Sequence, residues 1–317
     1  MDNTIHIVYC GDKNYIPMLG ISMTSVVLSN IGQPVVFHLL VDNAYQRDVE
    51  RLRNFARLYR DVAGVQLHRI TDDRPELQVF RSVKASYPMA VNYRLLLPRL
   101  LGEDVSRVLY LDGDVICRGS LQALWQMDLK GCLAAGAIDP LEPMHKKRTG
   151  LAHYVNSGVL LMDLAAWRRE HVLDKLLDFY RGQQALAFPD QDAINTVCNG
   201  RIALFDESYN YPLSCNFILP GKTTAIPPES VLCHFVGPIT KPWYITCLDP
   251  RARLWTYFRD KSLWDDLPLA GSAEHAAEMK RIRGMLVRHE DEPALACYQK
   301  LLSALGARYS PVLIRSK

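Results

Sequence analysis

Apolar residues along this chain come in short runs separated by longer amphipathic stretches, the alternation expected of strands joined by helices. Ile5 to Cys10 is a β-branched apolar run that predicts a first strand, and Met18 to Leu28 follows with helical spacing. Val35 to Val41 predicts a second strand, Ala44 to Leu58 an Arg-rich amphipathic helix, and Val65 to Ile70 a third strand. Leucines at helical intervals from Asn92 to Leu101 lead into Val108–Leu111, apolar enough for a buried strand of a parallel sheet. Leu133–Ile138 and Gly158–Met162 read as strands, Trp167–Tyr180 as a helix, and Asp190–Cys198 as a short helix stopped by Gly200. Met144 to Ala152 has the polar, basic make-up of a mobile loop, and dense Pro and Gly make Pro212–Pro228 a loop too. Beyond Ser272 the pattern is helical again. These elements predict an α/β, doubly wound sheet over residues 1–271, with a helical, basic tail over 272–317.

The apolar run at Val108–Leu111 stops at Asp112-Gly113-Asp114. Ligands collect at the carboxyl ends of strands in open α/β sheets, and two carboxylates this close repel unless a cation lies between them. Hard oxygen ligands suit Mg²⁺ or Mn²⁺. Asp-Gly-Asp is also ordinary turn chemistry, so this tripeptide alone leaves both readings open.

Composition narrows the class. The 317 residues are 49% hydrophobic and 22% charged, as in a globular protein with a sizeable core, and no apolar run is long enough to span a bilayer. Met1-Asp2-Asn3-Thr4 carries acid where a signal peptide needs base. Eight cysteines are scattered without a C-x-x-C pair, which favours a reduced, cytoplasmic chain over a disulfide framework. The formal net charge of +3 arises entirely from Glu274 onward, and no nucleic-acid partner is expected. No G-x-G-x-x-G follows the first strand. Gly221-Lys222-Thr223 mimics the end of a P-loop, but Asn216 replaces its required Gly and Pro220 lacks an N–H.

Other polar clusters fall between the apolar runs. Cys10-Gly11-Asp12-Lys13-Asn14-Tyr15 follows the first strand and offers an acceptor, an amide and a ring to a nucleobase; a polar turn has the same make-up. Asn156-Ser157-Gly158 and Asp190-Gln191-Asp192 supply short polar groups able to bond several hydroxyls, though Asp190 also suits a helix cap. His234, Gly237 and Lys241 lie in a Gly- and Pro-kinked segment that suits a pyrophosphate, while a lone His on an apolar run also suits a core.

Together, in this order, these elements resemble the family 8 glycosyltransferases, a retaining group. They comprise Asp12-x-Asn14-Tyr15, Tyr93-Arg94, Leu111-Asp112-Gly113-Asp114, Asn156-Ser157-Gly158, Asp190-Gln191-Asp192 and His234-x-x-Gly237-Pro238. They span about residues 5–243, and Lys241-Pro242-Trp243 brings the resemblance closest to the bacterial lipopolysaccharide glucosyl- and galactosyltransferases. Lys241 stands one residue further from Gly-Pro than in the commoner spacing, and the tail is less basic than in some relatives.

The resemblance implies a GT-A fold with a mixed sheet, a UDP-sugar donor carrying glucose or galactose, and a glycan or glycolipid acceptor. It implies Mn²⁺, with Mg²⁺ as the alternative, on Asp112, Asp114 and His234. Cys10, Asp12, Asn14 and Tyr15 would hold the nucleoside, and Asp112, Gly113, Gly237 and Lys241 the diphosphate end. Arg94, Asp112, Asp139, Asn156, Ser157, Gly158, Asp190 and Gln191 would line the hexose. The catalytic group would be Gln191 with Asp190 and Asp192. Gln191 offers a carbonyl oxygen to an oxocarbenium-like sugar but is a poor nucleophile, which favours front-face attack; displacement through Asp190 or Asp192 is the alternative. A metal-dependent nucleotidyltransferase or nucleotide-sugar hydrolase would also use paired Asp, and a non-catalytic sugar-nucleotide module is a third class. In the tail, Met279, Ile282, Met285 and Leu286 fall at helical spacing among Lys280, Arg281, Arg283 and Arg288. That helix suits an anionic membrane surface or a place against the main domain.

Overall fold

The computed structural model describes residues 4–213, 225–237 and 241–309. Among the described residues ten strands form in chain order: β1 (Ile5–Gly11), β2 (Val35–Val41), β3 (Ala63–Arg69), β4 (Arg107–Leu111), β5 (Val115–Cys117), β6 (Ala134–Ile138), β7 (Val155–Asp163), β8 (Ile202–Leu204), β9 (Tyr211–Pro212) and β10 (Leu232–His234). Seven make one mixed sheet in the order β3-β2-β1-β4-β7-β6-β8, and three make a small sheet, β5-β10-β9. β4 runs parallel to β1 but antiparallel to β7, so the expected parallel strand lies on the seam of a mixed sheet. Side chains alternate across it by the two-residue period of a strand. Val8, Val108, Tyr110 and Leu160 enter one core with Trp167 and Tyr180, while Ile7, Tyr9, Leu109 and Leu111 enter the other with Trp255 and Trp264.

Three helical expectations change. The segment read as a mobile loop is a helix, Glu142–Thr149, closed by Gly150 at φ +74°. Its apolar period is missing because the residue it buries is His145. The expected Trp167–Tyr180 helix is two, Leu164–Arg169 and Val172–Arg181, broken at His171 with φ +51°. Asn92–Leu101 is a 3₁₀ helix, Met89–Leu96, followed by a short α-turn at Leu97–Leu100 that holds Pro98 near its start. The Asp190 helix runs Pro189–Val197, with Gly200 at φ +73° beyond it. Tyr211–Pro212 pairs as β9; most of the expected Pro212–Pro228 loop, with Cys215 and Gly221–Thr223, lies outside the described residues, as do Pro238 and the end of the tail.

The tail is a helix pair, Ala273–Val287 and Asp291–Tyr309. Met279 and Ile282 are buried against Ala294 and Tyr298, and Met285 and Leu248 pack on the same cluster. The apolar face expected for a membrane is thus largely turned onto the next helix.

Three neighbouring strands carry an imidazole chain whose middle member, His38, is buried. His6 Nδ1 lies 3.0 Å from His38 Nε2, and His38 Nδ1 lies 3.1 Å from His68 Nε2. Burial, with His6 and His68 alongside, lowers the His38 pKa to about 4. A neutral His38 means the unfolded chain binds more protons below its ordinary pKa of 6.5. Stability should therefore fall as pH drops from about 6.5 to 4, by up to roughly 3 kcal/mol. Urea midpoints for the wild type and His38→Gln at pH 7 and pH 5 check this, and an equal pH response in both would refute it.

Candidate active site

The two-sheet junction builds the site. After β4 the chain turns at Asp112-Gly113-Asp114 and leaves the large sheet for β5. Asp112 N–H donates to Gly158 O (2.8 Å), which ties the turn to β7. β5 pairs antiparallel with β10, and Val115 stands opposite His234. Asp112, Asp114 and His234 therefore converge, with one ligand atom from each within 4.8 Å of the others. His234 Nε2 is 3.4 Å from Asp114 Oδ1 and 3.8 Å from Asp112 Oδ2. A Cβ on Gly158 would lie 2.2 Å from His234 Cε1 and 2.8 Å from Asp112 Oδ2, so only glycine fits there.

Hydrogen bonds fix which nitrogen of His234 faces the carboxylates. Gly158 N–H donates to Asn156 Oδ1 (3.0 Å), which makes that oxygen the acceptor. Asn210 must then present its amide Nδ2 to the same oxygen (3.0 Å) and its own Oδ1 to His234 Nδ1 (2.9 Å). His234 Nδ1 thus carries a proton, and Nε2 is the nitrogen that faces the two carboxylates. Two carboxylates and an imidazole nitrogen aimed at one point fit a cation, and Asn210 fixes the imidazole through Nδ1 as metal-bound histidines usually require. The Lys241 ammonium also reaches this place, contacting Asp114 and Phe235 O (2.6 Å). Burial alone would raise the Asp114 carboxyl; Lys241 holds it well below the usual carboxylate range.

A buried arginine joins this centre to the next pocket. Arg94 donates to Asp112 Oδ1 (2.9 Å) and Ser157 O (2.7 Å), lies 3.1 Å from Asp190 Oδ2, and sits 4.0 Å over the Tyr110 ring. The Tyr110 hydroxyl donates to the same Asp112 oxygen (2.6 Å). Burial pushes the Asp190 carboxyl above its ordinary pKa, with Arg94 opposing and Asp112 adding to the rise. Ser157 Oγ donates to Asp190 Oδ2 (2.9 Å).

Gln191 lies behind this arginine. Its Oε1 accepts from Ser157 N–H (2.9 Å), and its Nε2 donates to Asp139 Oδ2 (3.1 Å), which also accepts from Asn156 (3.0 Å). The carbonyl oxygen assigned to a sugar is therefore bonded to the backbone of β7. Burial would raise the Asp139 carboxyl, but hydrogen bonds from His145 and Asn156 lower it overall. Asp192 is gripped at both oxygens by Arg148 (2.9 and 2.5 Å) and bonded by the Tyr154 hydroxyl (2.5 Å). It has no spare face for a reaction.

The segment after β1 lies on the other side of Gly113. Asp12 Oδ1 accepts from the N–H groups of Asn14 (2.8 Å) and Tyr15 (3.1 Å), and Asn14 Oδ1 accepts from Tyr45 (3.2 Å). Tyr15 packs over Gly113, where a Cβ would meet its ring at 2.6 Å, and stands edge-on to Trp243 at 5.7 Å. Cys10 is buried, and burial raises its thiol pKa. Gly237 takes φ +97°, a left-handed conformation that suits glycine.

The family model for "Glycosyl transferase family 8" matches residues 6–247. The chain belongs to glycosyl transferase family 8. Lipopolysaccharide 1,2-glucosyltransferase of Escherichia coli (strain K12) is 28% identical over 298 residues, 90% of this chain and 86% of that protein. Lipopolysaccharide 1,3-galactosyltransferase of Salmonella typhimurium is 28% identical over 278 residues, covering 83% and 80% of the two chains. Among solved structures, galactosyltransferase LgtC in complex with donor and acceptor sugar analogues shares the fold, with a TM-score of 0.68 and 22% identity over 85% of this chain and 98% of that one.

For a family 8 member, several residues of this pocket escaped sequence reading. Tyr110 was counted only as strand core, and Asn210 stands in a segment with no motif. His145, Arg148 and Tyr154 fell in or beside the segment read as loop. Each acts through a partner at least 44 positions away or through a bond that periodicity does not encode: Arg148 pairs with Asp192, and Asn210 with Asn156.

Proposed function

We propose that this glycosyltransferase moves a hexose, glucose or galactose, from a UDP-sugar to a saccharide acceptor of the lipopolysaccharide core or a related surface glycan, with retention at the anomeric carbon. The observation that carries the reading is the meeting of Asp112, Asp114 and His234 beside the buried Arg94–Asp190 pair. The named activities of the similar lipopolysaccharide transferases support the donor and acceptor class.

Asp112, Asp114 and His234 would hold Mn²⁺, for which an imidazole ligand is more natural than for Mg²⁺. The bound ion would offset negative charge on the departing diphosphate. Lys241 brings an ammonium to the same place, and Gly237 lets the backbone turn there. Tyr15 offers a ring, with Asp12 and Asn14 beside it, for uracil. Arg94 holds Asp112 and Asp190 in one array against the hexose. Because Arg148 and Tyr154 occupy Asp192, displacement through Asp192 is disfavoured, and Asp190 is already bonded to Ser157. Front-face attack, with the UDP phosphate taking the acceptor proton, suits this arrangement. Screening UDP-sugars by UDP release tests the assignment: turnover of UDP-glucose or UDP-galactose supports it, and turnover of neither defeats it.

The chain is also proposed to divide near 271–272, because the helix pair beyond Ser272 has its own cluster around Met279 and Tyr298. No described helix is long and apolar enough to cross a membrane. A lipid-linked acceptor would place the enzyme at the inner face of the cytoplasmic membrane. With Met279 and Ile282 buried, contact there would rest on charge from Lys280, Arg281, Arg283 and Arg288. The full chain should then sediment with anionic vesicles at low salt and be released at high salt. No sedimentation at low salt would refute membrane contact.

A further inference from the structure

The Glu142–Thr149 helix buries one residue, His145, whose side chain is fully enclosed. Its imidazole stacks on Tyr154 at 4.1 Å and 9° and meets Phe188 edge-on at 4.8 Å. A neutral imidazole has one donor and one acceptor nitrogen, and its neighbours decide which is which. Arg148, which can only donate, places Nη2 3.1 Å from Nδ1. Nδ1 is therefore the acceptor, and the proton is on Nε2. Buried Nε2 completes no aligned hydrogen bond, and it faces Asp139 Oδ1 at 3.3 Å.

Asp139 is thus held from both ends. Leu141 N–H (2.7 Å) and His145 address Oδ1, while Asn156 and Gln191 address Oδ2. A carboxylate pinned this way cannot swing about its Cβ–Cγ bond. With Oδ2 taking its Nε2–H, the Gln191 amide must turn Oε1 toward Ser157. Arg148 completes a loop by gripping Asp192, the next residue after Gln191.

We propose that His145 is a positioning residue for the donor-sugar pocket: it fixes Asp139, which sets the orientation of the Gln191 and Asn156 amides, and through Arg148 it links them to Asp192. This proposal rests on the UDP-hexose reading of the site. His145 touches no substrate and acts through Asp139 and Arg148.

The test compares His145→Phe with His145→Gln. Phe keeps the ring stacked on Tyr154 and removes both nitrogens; Gln keeps an N–H for Asp139. UDP alone should bind wild type and both variants equally by calorimetry, because the nucleotide groups lie elsewhere. His145→Phe should lower kcat for UDP-hexose turnover about tenfold or more and raise the donor KM, as loss of an outer-shell partner does. His145→Gln should recover most of that loss. Arg148→Met, which leaves His145 in place, should show a smaller effect in the same direction. Wild-type kcat and KM in His145→Phe would overturn the proposal, as would equal losses in Phe and Gln variants matched by equal falls in thermal midpoint. A wild type that neither binds UDP nor turns over any UDP-hexose would overturn the functional reading, and this proposal with it.

Discussion

Replacing Asp114 with alanine should lower UDP release from a UDP-hexose by about a hundredfold or more, the scale of losing a preorganised group at a developing charge. Asp114 is the member of the cluster that both His234 and Lys241 approach. Its loss leaves His234 Nε2 facing Asp112 alone and removes the carboxylate that holds the Lys241 ammonium, so less positive charge is gathered where the diphosphate leaves. Asp112→Ala should be as inactive but less stable, because Arg94 and the Tyr110 hydroxyl both bond Asp112. Steady-state turnover with a thermal midpoint for each variant separates the two effects. An Asp114→Asn enzyme at wild-type turnover would refute the role.

Gly158→Ala should be nearly as damaging although it removes no functional group. The added methyl would need the space of His234 Cε1, 2.2 Å away, and of Asp112 Oδ2. His234 has little room to retreat, since Asn210 holds its Nδ1 and β10 is paired on both sides. Displacement of order 1 Å at a reacting site can cost about a hundredfold in turnover. Overpacking should add roughly 1–3 kcal/mol of destabilisation. Gly64→Ala is the control, because its Cβ would meet only Val36 at an ordinary 3.6 Å. A Gly158→Ala enzyme with wild-type kcat would contradict the close approach of these groups.

The strands were legible because burial on both faces demands runs such as Val108–Leu111, and such runs survive without any tertiary information. The Glu142–Thr149 helix was not, because its one inward side chain is polar and its partners, Asp139, Tyr154 and Phe188, come from other elements. The Trp167–Tyr180 stretch reads as one period, yet His171 adopts a positive φ that no pattern of apolar residues reveals. In the site, the order of motifs named Asp112, Asp114 and His234, which do meet. The orientation of Gln191 and the engagement of Asp192 depend on which hydrogen bonds win in three dimensions, and a sequence does not rank those. Asn210 shows the limit most plainly: only the Gly158–Asn156–Asn210 chain explains why that amide faces His234.

The most direct measurement is UDP release from UDP-glucose and UDP-galactose by the full chain, before and after chelation with EDTA and again after Mn²⁺ is returned. Turnover should fall to background in EDTA and recover with Mn²⁺ in the wild type but not in Asp114→Ala. Undiminished turnover in EDTA would contradict the metal assignment.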